Sequence, residues 1–202
     1  MSTPFAYYAR LNPRQKAIYQ RSDSILRLSL PRAQALSPLV VHVAEALERE
    51  DRDLTQAATE RLVGALGQAL GVPLPTVLVL AARPHAQWGE LHGLYAGAGG
   101  RGAPRITVWM RTARRRQVVA FRTFLRTLLH EFCHHLDYRL LRLSDSFHTE
   151  GFYKRESSLF HQLTEGLATE ASRAGAPGDF FTPRRIYDHA SGADPAIEPD
   201  RR

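Results

Sequence analysis

A wide apolar stripe along the segment from about Gln117 to Leu140 predicts a long core helix. Its apolar residues recur at intervals of three and four, which is the period of one helix face. They are Phe121, Phe124, Leu125, Leu128, Leu129, Phe132 and Leu136. A face of this width has to pack against other elements, so the helix is predicted to belong to a folded domain.

The same segment contains the sequence His130-Glu131-Phe132-Cys133-His134. At 100° per residue the two histidines lie about 170° from the centre of the apolar stripe, which argues against core histidines packed beneath it. Histidines four residues apart project from one helix face and can bind one metal ion together. Imidazole suits zinc, and Glu131 is placed to act as general base on a zinc-activated water.

Cys133 is the single cysteine of the 202 residues. Intrachain disulfides and cysteine-ligated zinc ribbons are therefore excluded, and a metal must be held by histidines and carboxylates. No apolar run approaches the ~18 residues needed to span a bilayer. Because no secretory signal is visible either, we expect a cytoplasmic protein without a membrane partner.

A catalytic zinc site needs a third protein ligand and one open position. His148 follows His134 by fourteen residues, which allows the helix to end and the chain to turn back toward the ion. Glu165 would instead match the glutamate helix of gluzincins, and Glu150 is a further candidate. The sequence leaves these alternatives open.

Asp137 stands on the ligand face of the same helix, one turn beyond His134. This position favours a role as acceptor for a ligand histidine N–H rather than as a ligand. The metzincin pattern HExxHxxGxxH is excluded, because Asp137 replaces its glycine and Leu140 its last histidine.

The remaining chain predicts helices first and strands later. Helices are predicted from Asn12-Pro13 to about Leu28, from Ser37-Pro38 to about Glu50, from about Leu54 to Leu70 and from about Thr149 to Leu163. Strands are predicted at Thr76 to Leu80, Leu91 to Tyr95 and Arg105 to Met110. We expect a helical region at 1–72, a core at 73–175 and a partly disordered tail at 176–202.

The stretch from about Gly93 to Leu163 resembles the SprT-like family of minimal zincin metallopeptidases. The resemblance rests on the strand Ile106 to Met110, the Thr-Leu-Leu-His-Glu-Phe-Cys-His-His helix and a later His-x-x-x-Phe segment, His148 to Phe152. It differs from the family in that the glycine expected directly after the third histidine stands at Gly151. The cysteine-rich ribbon of many members is also absent.

This resemblance implies an α+β fold, with a zincin-like core of a small, mostly antiparallel sheet beside the HExxH helix. It implies that His130, His134 and His148 hold one Zn²⁺ per chain, with Glu131 as catalytic base. The expected reaction is hydrolysis of peptide bonds in a protein or peptide substrate. Substrate specificity and oligomeric state are not predicted.

Four further side chains are candidates for supporting roles. Tyr138 and Tyr153 can donate to a developing oxyanion, or serve as packing and surface tyrosines. Arg155 and Glu156 can orient ligands, or form a solvated helix face.

A basic run, Arg111 with Arg114, Arg115 and Arg116, follows the strand Arg105 to Met110. If that strand is a sheet edge that pairs with substrate, the run lies near the rim of the cleft. Net charge is +7, so nucleic acid is a further candidate partner. The alternative to an enzyme is a catalytically inactive zincin-derived module that binds nucleic acid or acidic partners through this arginine-rich face.

Overall fold

The computed structural model describes residues 4–86, 89–97, 103–165 and 167. These residues form an α+β architecture, as predicted. The helices are α1 (Pro13–Ser24), α2 (Ser37–Glu48), α3 (Arg52–Leu70), α4 (Phe121–Arg139) and α5 (Glu150–Thr164), with short 3-10 turns at Ala6–Arg10 and Ala33–Leu36. The strands are β1 (Thr76–Ala82), β2 (His85–Ala86), β3 (Gly89–Glu90), β4 (Gly93–Ala96) and β5 (Arg105–Arg111).

Local signals explain where the N-terminal helices begin and end. The Asn12 side chain accepts from the backbone N–H of Gln15, whose own side chain accepts from the N–H of Asn12. This reciprocal pair satisfies two helix-end donors and starts α1 at the predicted position. Gly71 ends α3 with a left-handed φ of 64°, which glycine adopts without steric penalty. α1 ends at Ser24, four residues before the predicted Leu28.

The main sheet has the strand order β1-β5-β4, with β1 and β5 parallel and β5 and β4 antiparallel. The sheet is therefore mixed, and the prediction of a mostly antiparallel sheet was wrong. β5 (Arg105–Arg111) is the central strand, so the condition that Arg105 to Met110 is a sheet edge is not met. Thr107 and Trp109 face away from Ile106 and Val108, yet all four are buried, as expected of a strand covered on both faces.

The side chain of Gln56 in α3 forms hydrogen bonds with the backbone of β1 at the outer edge of the sheet. Its amide accepts from the N–H of Val79 at 2.6 Å and donates to the carbonyl of Val77 at 2.8 Å. A side chain thus supplies the pairing that another strand would give, which protects this edge from further strand addition. β4 forms the opposite edge of the sheet.

One hydrophobic core joins the N-terminal helices to the sheet and to α4 and α5. The apolar stripe of α4 is its centre, and Phe124, Leu128 and Phe132 are at most 1% exposed. Cys133 is buried among these residues as a small packing side chain. Because the stripe faces inward, the histidine face of α4 is directed to the other side of the helix.

Among the described residues, no helix has both the length and the apolarity to cross a membrane. The predicted tail at 176–202 lies outside the described residues, as do residues 166 and 168–175 at the end of the predicted core.

Candidate metal centre

Three histidines converge beside α4. His130 and His134 lie one turn apart on this helix, and His148 lies in the segment that leads into α5. The Nε2 atom of His148 is 3.0 Å from Nε2 of His130 and 3.1 Å from Nε2 of His134. The candidate ligand atoms of all three lie within 4.8 Å of one another, close enough to hold a metal ion.

The surroundings of His134 fix which of its ring nitrogens carries the proton. Ser146 Oγ lies 2.7 Å from His134 Nδ1 and donates to Asp137 Oδ2 at 2.8 Å. A hydroxyl has one proton, so Ser146 accepts from Nδ1–H of His134 and leaves a lone pair on Nε2. Burial, followed by the neighbouring charges of His130 and His148, lowers the pKa of His134 well below its ordinary value. The ring is therefore neutral, as a metal ligand must be.

The partners of His130 likewise determine which of its ring nitrogens carries the proton. Its Nδ1 is 3.2 Å from Glu156 Oε2, and the other oxygen of Glu156 accepts from Arg126 at 3.4 Å. A carboxylate accepts hydrogen bonds, so Nδ1 of His130 carries the proton and Nε2 keeps its lone pair. Glu156 is 8% exposed and Arg155 is fully buried, so this part of α5 is not a solvated face.

The donor set fits zinc. A tetrahedral ion with Zn–N bonds of ~2.0–2.1 Å separates its ligand nitrogens by about 3.3 Å. Nε2 of His148 lies at 3.0 Å and 3.1 Å from Nε2 of His130 and His134, close to this separation. Nε2 of His130 and Nε2 of His134 keep their lone pairs, and both atoms lie within 3.1 Å of Nε2 of His148. A cation satisfies all three, and three imidazoles leave the fourth position open for a water.

Phe152 forms a floor beneath the three imidazoles. Its ring is fully buried and its centroid lies 5.0 Å from that of His130, 4.7 Å from that of His134 and 5.2 Å from that of His148. The His-x-x-x-Phe spacing brings this about, because Thr149 caps α5 and Phe152 follows in its first turn. Tyr153, 41% exposed, lies at the rim with its ring nearly parallel to that of His148.

Glu131 is buried between α4 and the edge strand β4. A Cβ added at Gly93 would lie 2.7 Å from Cγ of Glu131 and 2.8 Å from Cγ2 of Thr127, so only glycine leaves room for the carboxyl. Burial raises the pKa of Glu131 to about 7, while the charge of His130 and the backbone N–H of Tyr95 oppose the shift. Gly93 was not identified from the sequence, although a glycine inside a strand signals a close approach of this kind.

His135 and Tyr138, the other aromatic residues near the end of α4, pack against Tyr95. His135 is fully buried, with Nε2 2.7 Å from the carbonyl of Pro73 and Nδ1 3.1 Å from Oη of Tyr95. Because a carbonyl only accepts, Nε2 carries the proton and Nδ1 accepts from Tyr95. Tyr138 stacks on Tyr95 at 6.0 Å, and burial raises the pKa of Tyr138 to about 12.

The other carboxylate candidates lie apart from the cluster. Glu165 follows the last residue of α5, a helix of 15 residues that places it about 22 Å from the end that carries His148. It is exposed and lines a shallow cavity with Arg27 and His161. Glu150 forms an ion pair with Lys154 one turn further along α5.

Comparisons with protein-family models, with curated proteins and with solved structures find no match to this chain. The resemblance to the SprT-like family stays a prediction.

Proposed function

We propose that this protein is a zinc-dependent metallopeptidase with a zincin-like core. In this proposal His130, His134 and His148 are the zinc ligands and Glu131 is the general base. The observation that carries it is the three-imidazole cluster, two of whose histidines flank on α4 a buried carboxyl whose pKa is raised to about 7. A purely structural metal site has no need of such a carboxyl.

A zinc ion in this cluster would supply Lewis-acid polarisation of the scissile carbonyl and a lowered pKa for the attacking water. Glu131 takes the proton of that water and passes it to the leaving amine. Burial raises the pKa of Glu131, which favours uptake of the proton by this carboxylate. The backbone N–H of Tyr95 and the absence of a side chain at Gly93 hold the carboxyl against β4.

The position of β4 supports an extended peptide as the substrate. Gln56 bonds one edge of the sheet, whereas β4 forms the other edge and lies against Glu131 through Gly93. A peptide that added to this edge as a further strand would pass the general base. β4, and not β5, is therefore the edge strand that would pair with an extended substrate.

The order of the secondary-structure elements supports the resemblance to the SprT-like family in particular. The HExxH helix α4 follows a strand of the sheet, and the third histidine comes directly before the next helix. His148 and Phe152, which carry the family-specific part of the resemblance, both contact the other two histidines.

The test is the variant Glu131→Gln, which keeps the size of the side chain and removes its ability to accept the proton. We expect the variant to bind zinc as the wild type does and to hydrolyse fluorescently labelled denatured casein about 10²–10⁴-fold more slowly. Glu165→Gln, the same change at an exposed carboxylate distant from the cluster, should hydrolyse casein at the wild-type rate. Wild-type turnover by Glu131→Gln would show that the mechanism is wrong.

The alternative is a non-catalytic binding module, supported by the exposure of Arg114, Arg115 and Arg116 after β5. It predicts zinc without hydrolysis, together with nucleic-acid binding that weakens steeply as salt rises. Arg111 itself is engaged, since it forms an ion pair with Glu50 and donates to the carbonyl of Arg116.

A further inference from the structure

The N-terminal segment contacts the third histidine through Tyr7. Its hydroxyl donates to the backbone carbonyl of His148 at 2.8 Å. Its ring lies against Phe147, with centroids 6.4 Å apart, and edge-on against Tyr19 of α1. The segment between α4 and α5 has no strand or helix bonding of its own at His148. Tyr7 therefore holds both the residue before the histidine and the backbone of the histidine itself.

A second connection runs from the end of α1 through a buried arginine. Arg155 of α5 is fully buried and donates to the carbonyls of Ser22 at 2.6 Å and Ile25 at 2.7 Å, and to Ser22 Oγ at 3.0 Å. The last carbonyls of a helix lack partners within the helix and favour a cation. The end of α1 thus binds the guanidinium of Arg155 and holds it in place.

Hydrogen bonds also connect the guanidinium of Arg155 to His134, one of the proposed metal ligands. Arg155 also donates to Asp137 Oδ1 at 2.8 Å, while Asp137 Oδ2 accepts from Ser146, the residue that fixes the proton on His134. Asp137 and Arg155 are both fully buried. A displacement of α1 would therefore reach His134 through a chain of hydrogen bonds whose charged members, Arg155 and Asp137, are fully buried.

We propose that the N-terminal segment and α1 are positioning elements of the metal centre, and not a cover over a complete site. Tyr7 positions His148, and Ser22 positions His134 through Arg155. The proposal rests on the proposed function only in that these histidines bind metal. It assigns a role to the N-terminal third, for which the family resemblance offers no counterpart. His130 is held independently, because its partner Glu156 belongs to neither connection.

The experiment compares two pairs of matched variants in the full-length chain. Tyr7→Phe removes the hydroxyl that bonds His148, and Tyr8→Phe removes one from the neighbouring tyrosine, whose hydroxyl accepts from Gln20. Ser22→Ala removes an acceptor of Arg155. Ser24→Ala removes an exposed hydroxyl that bonds only within the last turn of α1.

Two readouts report on the site without requiring catalysis. They are the affinity for Zn²⁺, measured in competition with a chromophoric chelator, and the visible absorption spectrum with Co²⁺, which reports ligand geometry. Loss of a partner that orients a ligand weakens metal binding by roughly 10–100-fold, and we expect about tenfold for Tyr7→Phe and Ser22→Ala. Both should also have altered Co²⁺ spectra, whereas Tyr8→Phe and Ser24→Ala should match the wild type.

The proposal stands only if Tyr7→Phe and Ser22→Ala both differ from the wild type in both readouts. Wild-type affinity and spectrum in either variant would overturn it, as would equal weakening in the two controls. Failure of the wild-type chain to bind Zn²⁺ or Co²⁺ would overturn the metal site itself, so the two proposals fail in distinguishable ways.

Discussion

Replacing Gly93 by alanine tests whether the position of Glu131, rather than its presence alone, determines catalysis. The added methyl would lie 2.7 Å from Cγ of Glu131 and 2.8 Å from Cγ2 of Thr127. Ordinary contacts between carbon atoms are ~3.5–4.0 Å, so the neighbouring side chains must move by about 1 Å. The side chain of Glu131 has to leave its place beneath β4.

Gly93→Ala should reduce both the stability of the fold and the rate of turnover. An extra methyl in a packed interior destabilises the fold by about 1–3 kcal/mol, which urea denaturation measures. A displacement of about 1 Å at a catalytic group reduces turnover on the order of 100-fold, which the casein assay measures. Zinc affinity should stay close to that of the wild type, because the three atoms nearest to the new methyl belong to Glu131 and Thr127 and not to a histidine.

Gly64→Ala is the matched control. Nothing lies within 4 Å of a Cβ added at Gly64, which sits within α3. Alanine is favoured over glycine inside a helix, so this variant should be more stable by about 0.5–1 kcal/mol and equally active. If Gly93→Ala is less stable than the wild type but retains its full turnover, the argument that β4 fixes the general base is refuted.

Four further predictions concern the ligand environment and the fold. Ser146→Ala should weaken zinc binding by about 10–100-fold while the exposed Ser144→Ala does not, and equal affinities would contradict the proton assignment at His134. Zinc at about 1,000 times its dissociation constant should add about 4.1 kcal/mol to the stability, so a melting temperature insensitive to chelator would count against the site. Phe132→Ala should cost about 3–5 kcal/mol in urea denaturation, because this ring is fully buried in the core. Asp51→Ala should lose about 0.5–2 kcal/mol by the same measurement, since Asp51 caps α3 through the N–H groups of Asp53 and Leu54.

The parts of the site that local geometry determines could be predicted from the sequence. The spacing of His130 and His134 on a strongly periodic helix requires that they share a face, and the structure has them on the same side of α4. The cap at Thr149 likewise placed the start of α5. His148 stayed one of several alternatives, because its approach to the cluster depends on how the segment between two helices turns.

The parts that depend on long-range packing could not be predicted. The alternation of Ile106, Val108 and Met110 is typical of a half-buried edge strand, but the packing of other elements buries the second face of β5 as well. Arg155 and Glu156 have the charges of a solvated helix face. They are buried because their partners come from α1 and α4, which no local pattern of α5 reveals.

Elemental analysis of metal content tests whether His130, His134 and His148 bind zinc. It should be made on protein purified without chelator, for the wild type and for His148→Ala and Glu165→Ala. We expect about one zinc per chain in the wild type and in Glu165→Ala, and its loss in His148→Ala, since three ligands define the site. Folded wild-type protein without zinc, or zinc retained by His148→Ala and lost from Glu165→Ala, would contradict this expectation.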